Sequence, residues 1–95
     1  MSLRAFILKT RLRLKGFIVW SSWSGFAVNT DWPDPKYKEQ IETISKMFDK
    51  YLPKNWCALG PKLATGGVLV MYAWPKKDPN LQRVLNGEEP AEECD

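Results

Sequence analysis

Apolar residues recur at Tyr37, Ile41, Ile44, Phe48 and Tyr51, spacings of four, three, four and three that lay a single stripe along a helix. Met47 and Leu52 widen that stripe, while Glu42 and Lys46 form an i,i+4 pair on the polar side. Asp34 stands where a helix cap would, with Pro35 at the first helical position, and Pro53 stops the helix after Leu52. The pattern predicts an amphipathic helix over 36–52. Its face of Tyr37, Ile41, Ile44, Phe48 and Tyr51 needs a sheet, a membrane or a neighbouring subunit to cover it.

The stretch from Leu8 to Lys15 fits two periods. Strict alternation puts Leu8, Thr10, Leu12 and Leu14 on one side of a strand and Lys9, Arg11, Arg13 and Lys15 on the other. On a helical wheel, Leu3, Phe6, Ile7, Leu14, Phe17 and Ile18 gather on one arc. In a soluble arrangement the strand period predicts a β-hairpin over 5–28, broken or bulged at Gly16 and turning through Ser21 to Gly25.

Trp56 to Trp74 also carries two patterns. Gly60-Pro61 and Gly66-Gly67 are turn formers, which leaves Val68 to Trp74 as a buried strand. Alternatively, Trp56 and Trp74 bracket a hydrophobic helix of about 27 Å at 1.5 Å per residue, near the thickness of a bilayer core. Tyr72 and the two Trp then lie where interfacial anchors do, with Lys54 at one end and Lys76 and Lys77 at the other. Pro61 and Lys62 oppose that span, since only Leu63 to Trp74 is uninterrupted.

The charge distribution sharpens this picture. The chain has 95 residues, which bounds it to a single small domain, 1–95, and its net charge is +3. Residues 1–30 form a basic head that holds Arg4, Lys9, Arg11, Arg13 and Lys15 without an acid, and residues 78–95 form an acidic, polar tail. An acid-free, Arg-rich head has the composition of an organelle-targeting segment. The location expected is therefore intracellular, at an organellar membrane, with the cytoplasm as the alternative. Cys57 and Cys94 are too few for a disulfide framework and point to a reducing compartment, a single Cys57–Cys94 bridge being the alternative.

Candidate chemistry is sparse. With no His, the chain lacks an imidazole base or ligand, and Gly60 to Gly67 lacks the Lys-Ser/Thr of a phosphate-binding loop. No catalytic, cofactor or metal-binding residues are expected. Lys9, Arg11, Arg13 and Lys15, with Trp20 and Trp23, are the candidates for holding an anionic surface, since a basic strand beside aromatic platforms suits single-stranded nucleic acid and cations also attract anionic lipid. Trp56, Tyr72 and Trp74 are the candidate membrane or interface anchors.

The leading expectation is thus a mainly α protein, with an amphipathic helix over 36–52 and a short hydrophobic, membrane-spanning helix over 56–74. It would serve as a non-enzymatic accessory or structural subunit of a membrane-associated, organellar complex, with other protein subunits as partners. The alternative is an α+β binding module with hairpin 5–28, helix 36–52 and strand 68–74. Its basic strand and Trp would bind nucleic acid or an acidic protein.

Overall fold

The computed structural model describes residues 3–22, 25–64 and 66–77. They form α1 (Leu3–Leu14), β1 (Val19–Ser22), β2 (Gly25–Asn29), α2 (Tyr37–Tyr51), β3 (Trp56–Ala64) and β4 (Val68–Pro75). The four strands make one antiparallel sheet in the order β1-β2-β4-β3. This is an α+β architecture, and it corrects the mainly α expectation.

Residues 56–74 are a hairpin and not a hydrophobic helix, pairing Cys57 with Trp74 and Ala64 with Val68. Pro61 cannot donate to a helical ladder, and it sits where the register slips between Leu59 and Lys62. Val68 to Trp74 reads as an unbroken apolar run because β4 lies between β2 and β3 and is packed on both faces. Burial on two sides mimics the composition of a span. Among the described residues, no helix is long and apolar enough to cross a membrane.

The hairpin expected over 5–28 is corrected as well. Strand pairing there runs only from Val19↔Val28 to Ser22↔Gly25, and residues 3–14 are helical. Leu, Arg, Lys and Ala, which dominate α1, are strong helix formers. Gly16 explains the stop. Its φ of 95° is the left-handed geometry of a residue just past a helix end. The Gly16 N–H donates to Arg13 O at 3.0 Å and the Phe17 N–H to Leu12 O at 3.1 Å, the paired bonds that close such an end.

Both helices lie on one face of the sheet. Ala5, Leu8 and Leu12 of α1 and Ile44, Met47 and Phe48 of α2 pack there with Val19, Phe26, Val28, Trp56 and Met71. Phe26 is the hub, with its ring 6.0 Å edge-on from Phe48 and 5.9 Å from Trp56. Ala27, Val70, Tyr72 and Trp74 form a second cluster on the opposite face, to which no helical residue belongs. Gly25 is required beside it, because a Cβ there would collide with the Ala73 carbonyl and the Trp74 ring.

At the start of α2, Lys36 takes the cap position without a side-chain cap bond. Asp34 acts just ahead of it, its Oδ1 accepting the Lys36 N–H at 3.0 Å. At the far end Leu52 is extended, the conformation Pro53 imposes on its predecessor.

Candidate docking face on the first helix

α1 carries two apolar stripes. Ala5, Leu8 and Leu12 point into the core, whereas Leu3 is 73% exposed, Phe6 55%, Ile7 40% and Leu14 81%. At about 100° per residue, Leu3, Ile7, Thr10 and Leu14 fall within an arc of roughly 60°, opposite the buried stripe, with Phe6 at its edge. Four large apolar side chains on the outward side of a single helix exceed what scattered surface hydrophobes need. Ile18, just past the helix, is 65% exposed as well.

Cations border this crest. No acid occurs in α1. Arg11 and Lys15 project on the side toward α2, where they line a groove of about 450 Å³ with Leu14, Lys46, Lys50 and Tyr51. The Arg11 guanidinium lies 4.8 Å from the Tyr51 ring centroid and Lys50 Nζ lies 5.3 Å from it, so one ring holds two cations at the groove. Lys46 pairs with Glu42 at 3.1 Å, outside the groove lining, which contains no acid. Arg4 donates to the Tyr51 and Lys50 carbonyls at 3.3 and 3.2 Å, fixing the start of α1 to the end of α2.

The structure disperses the four cations predicted on one strand face. Arg11 and Lys15, one turn apart, reach the groove. Arg13 projects on the other flank and donates to Val19 O at 3.3 Å. Lys9 is 9% exposed on the core side, its ammonium 3.4 Å from Ser21 Oγ and 5.9 Å from the Phe26 ring centroid, so it belongs to the interior. Arg4, Lys46 and Lys50 were not among the predicted site residues. The interhelical contact assembles them with Arg11 and Lys15, and no linear spacing shows that grouping.

The remaining candidates are also redistributed. Trp20 is half-buried on the sheet face away from the helices, donating from Nε1 to Asn29 Oδ1 at 2.7 Å and meeting Tyr72 edge-on at 6.1 Å. Trp23 lies outside the described residues. Ile44 and Phe48 are buried in the core, and Tyr37, Ile41 and Tyr51 are half-buried, so the apolar stripe of α2 serves folding. Trp56 is on the helix side of the sheet, whereas Tyr72 and Trp74 share the opposite face at 5.7 Å between ring centroids. The three do not form a common anchor.

Two further places carry polar chemistry. Beside a cavity of about 600 Å³, Asp31 and Gln40 exchange hydrogen bonds at 2.7 and 2.9 Å, and Lys36 pairs with Asp31 at 3.1 Å. The Gln40 and Lys36 hydrogen bonds hold the Asp31 carboxyl below its ordinary value, and the same carboxylate raises Lys36. These groups satisfy one another and tie the loop to α2. Cys57 is a free, half-buried thiol on the sheet face away from the helices, and burial raises its pKa, which disfavours the thiolate. Cys94 lies outside the described residues, as does the acidic tail. No group of three or more Cys, Asp or Glu side chains among the described residues is placed to hold a metal.

Fold and surface together describe a two-layer α+β protein with an apolar, cation-bordered helix on its outside. No family model, curated protein or solved structure matches the chain.

Proposed function

We propose that this protein is a non-enzymatic binding module, an accessory component of a larger assembly, that docks through the outer face of α1 on a partner with an anionic surface. One observation carries the reading. α1 spends one apolar stripe on the core and keeps a second, Leu3, Phe6, Ile7 and Leu14, in solvent. Covering that crest removes apolar area from water, while Arg4, Arg11, Lys15, Lys46 and Lys50 favour negative charge at its border. The basic strand of the α+β alternative is a helix, and this reading assigns docking to α1 in place of α2.

The test is the size of the particle that contains the protein in a gently prepared native extract. The wild-type chain is expected to run far above its own 11.0 kDa, and Ile7→Asp with Leu14→Asp to return it to the monomer position. Near-UV circular dichroism checks that the variant keeps its packing. A wild-type chain that runs as a free monomer in every fraction, soluble and particulate, overturns the reading.

A further inference from the structure

We infer that the partner of this face is the surface of an anionic lipid bilayer, on which α1 lies flat with its crest in the headgroup and acyl boundary. The inference rests on the docking reading above and names its occupant.

Shape is the first argument. The crest is convex, and its most exposed side chains, Leu3 and Leu14, stand at its two ends, eleven residues or about 16 Å apart along the axis. A flat, fluid surface meets both ends at once without a preformed groove. Chemistry is the second. The crest consists of two Leu, an Ile and a Phe, flanked by Arg13 on one side and by Arg4, Arg11 and Lys15 on the other. Aliphatic side chains between cations suit an interfacial helix, in which the apolar residues enter the boundary and the long basic side chains reach phosphate. Nucleic acid fits less well, because bases need stacking platforms, and Phe6 is the single exposed ring on the crest, Tyr51 being engaged by Arg11 and Lys50 and Trp20 lying on the sheet face away from the helices.

The groove supplies a second layer of contact. Arg11, Lys15, Lys46 and Lys50 surround it beside Leu14, so a headgroup phosphate seated there lies next to the crest that enters the boundary. Arg11 is held over the Tyr51 ring, which limits the freedom it loses on binding. α1 neither spans the bilayer nor needs to refold, since its core stripe stays on the sheet.

Vesicle sedimentation with the purified full chain tests this. Vesicles of phosphatidylcholine with about one-third phosphatidylserine, a composition rich in anionic lipid, are compared with phosphatidylcholine alone. The chain is expected to partition to the anionic vesicles at least tenfold more strongly, and each cation removed by Arg11→Gln or Lys15→Gln lowers partitioning about fivefold. Ile7→Ser with Leu14→Ser lowers it at least tenfold. Arg11→Gln with Lys15→Gln leaves the crest intact and Ile7→Ser with Leu14→Ser leaves the cations intact, so failure of one pair to fold still leaves the other as a test. Equal partitioning to both vesicle types, or to neither, overturns the inference. If vesicles are not bound while the native particle persists and dissolves with Ile7→Asp and Leu14→Asp, a protein partner is indicated and the docking reading survives. Binding of single-stranded RNA in place of vesicles likewise overturns the lipid assignment, and absence of both vesicle binding and the native particle overturns both proposals.

Discussion

The two helices share a layer but spend their hydrophobic residues differently. α2 has a single stripe, with Ile44, Met47 and Phe48 buried and Ile41 and Tyr51 packed at its margins, and Glu42, Lys46, Asp49 and Lys50 in solvent. α1 buries Ala5, Leu8 and Leu12 but exposes Leu3, Phe6, Ile7 and Leu14. A helix with one stripe needs only the fold to explain it. A helix with two leaves one unexplained by folding, and that surplus is the observation from which docking through α1 is proposed.

The strongest way to break this contrast is to truncate what each helix is said to bury. Phe48→Ala is expected to lower stability by about 3–5 kcal/mol, measured by urea denaturation, because its ring meets Phe26 in the middle of the helix-side core. Loss of under about 1 kcal/mol would mean that α2 is not the main cover of the sheet.

A finer division comes from two leucines two positions apart. Leu12→Ala removes a fully buried side chain and is expected to cost about 2–5 kcal/mol, whereas Leu14→Ala on the crest stays within about 0.5 kcal/mol. A strand would place both on one face and give them similar costs. Equal losses would therefore contradict the helix and its two-stripe division.

Gly16→Ala probes the point where α1 stops. A Cβ at Gly16 would meet no neighbouring atom, so the expected loss of about 1–2 kcal/mol is purely conformational, from the left-handed backbone. A neutral result would show that the chain leaves α1 by another route and that the crest ends elsewhere.

The smallest expected effect concerns pH. Asp31 is held below its ordinary carboxylate value when folded, so its contribution is complete above the unfolded value and is lost as pH falls through the folded one. The urea midpoint should drop below about pH 4. Asp31→Asn or Gln40→Ala should reduce that drop slightly, and an unchanged profile would mean that the loop before α2 contributes nothing to acid sensitivity.

How far the sequence was legible follows from how many partners each element has. α2 touches one layer, so its spacing showed both its type and its inward face within a residue or two at each end. Val68 to Trp74 is buried on both faces, and a run without period fits a central strand as well as a short span. Gly66-Gly67 was visible as the turn ahead of strand 68–74, whereas Gly60-Pro61, read as another turn, lies inside β3 at its register shift, so the strand 56–64 was not legible. For α1, the wheel arc of Leu3, Phe6, Ile7, Leu14, Phe17 and Ile18 holds only for its first four members, since Phe17 and Ile18 lie past the helix end; those four form the outer arc, and Ala5, Leu8 and Leu12 form the inner one. Gly16 after a basic last turn was the available sign that the helix ends there.

The sequence alone determined the amphipathic helix, read as 36–52 and observed over Tyr37–Tyr51, the acid-free head with its cations, and the absence of any imidazole, because each is a property of neighbouring residues or of composition. Only the tertiary structure decided that β4 lies between β2 and β3, that Lys9 turns inward while Arg11 and Lys15 meet Lys46 and Lys50, and which stripe of α1 the sheet accepts. Those are choices among surfaces far apart in the chain. Periodicity states which residues share a face, and packing states which face is left over.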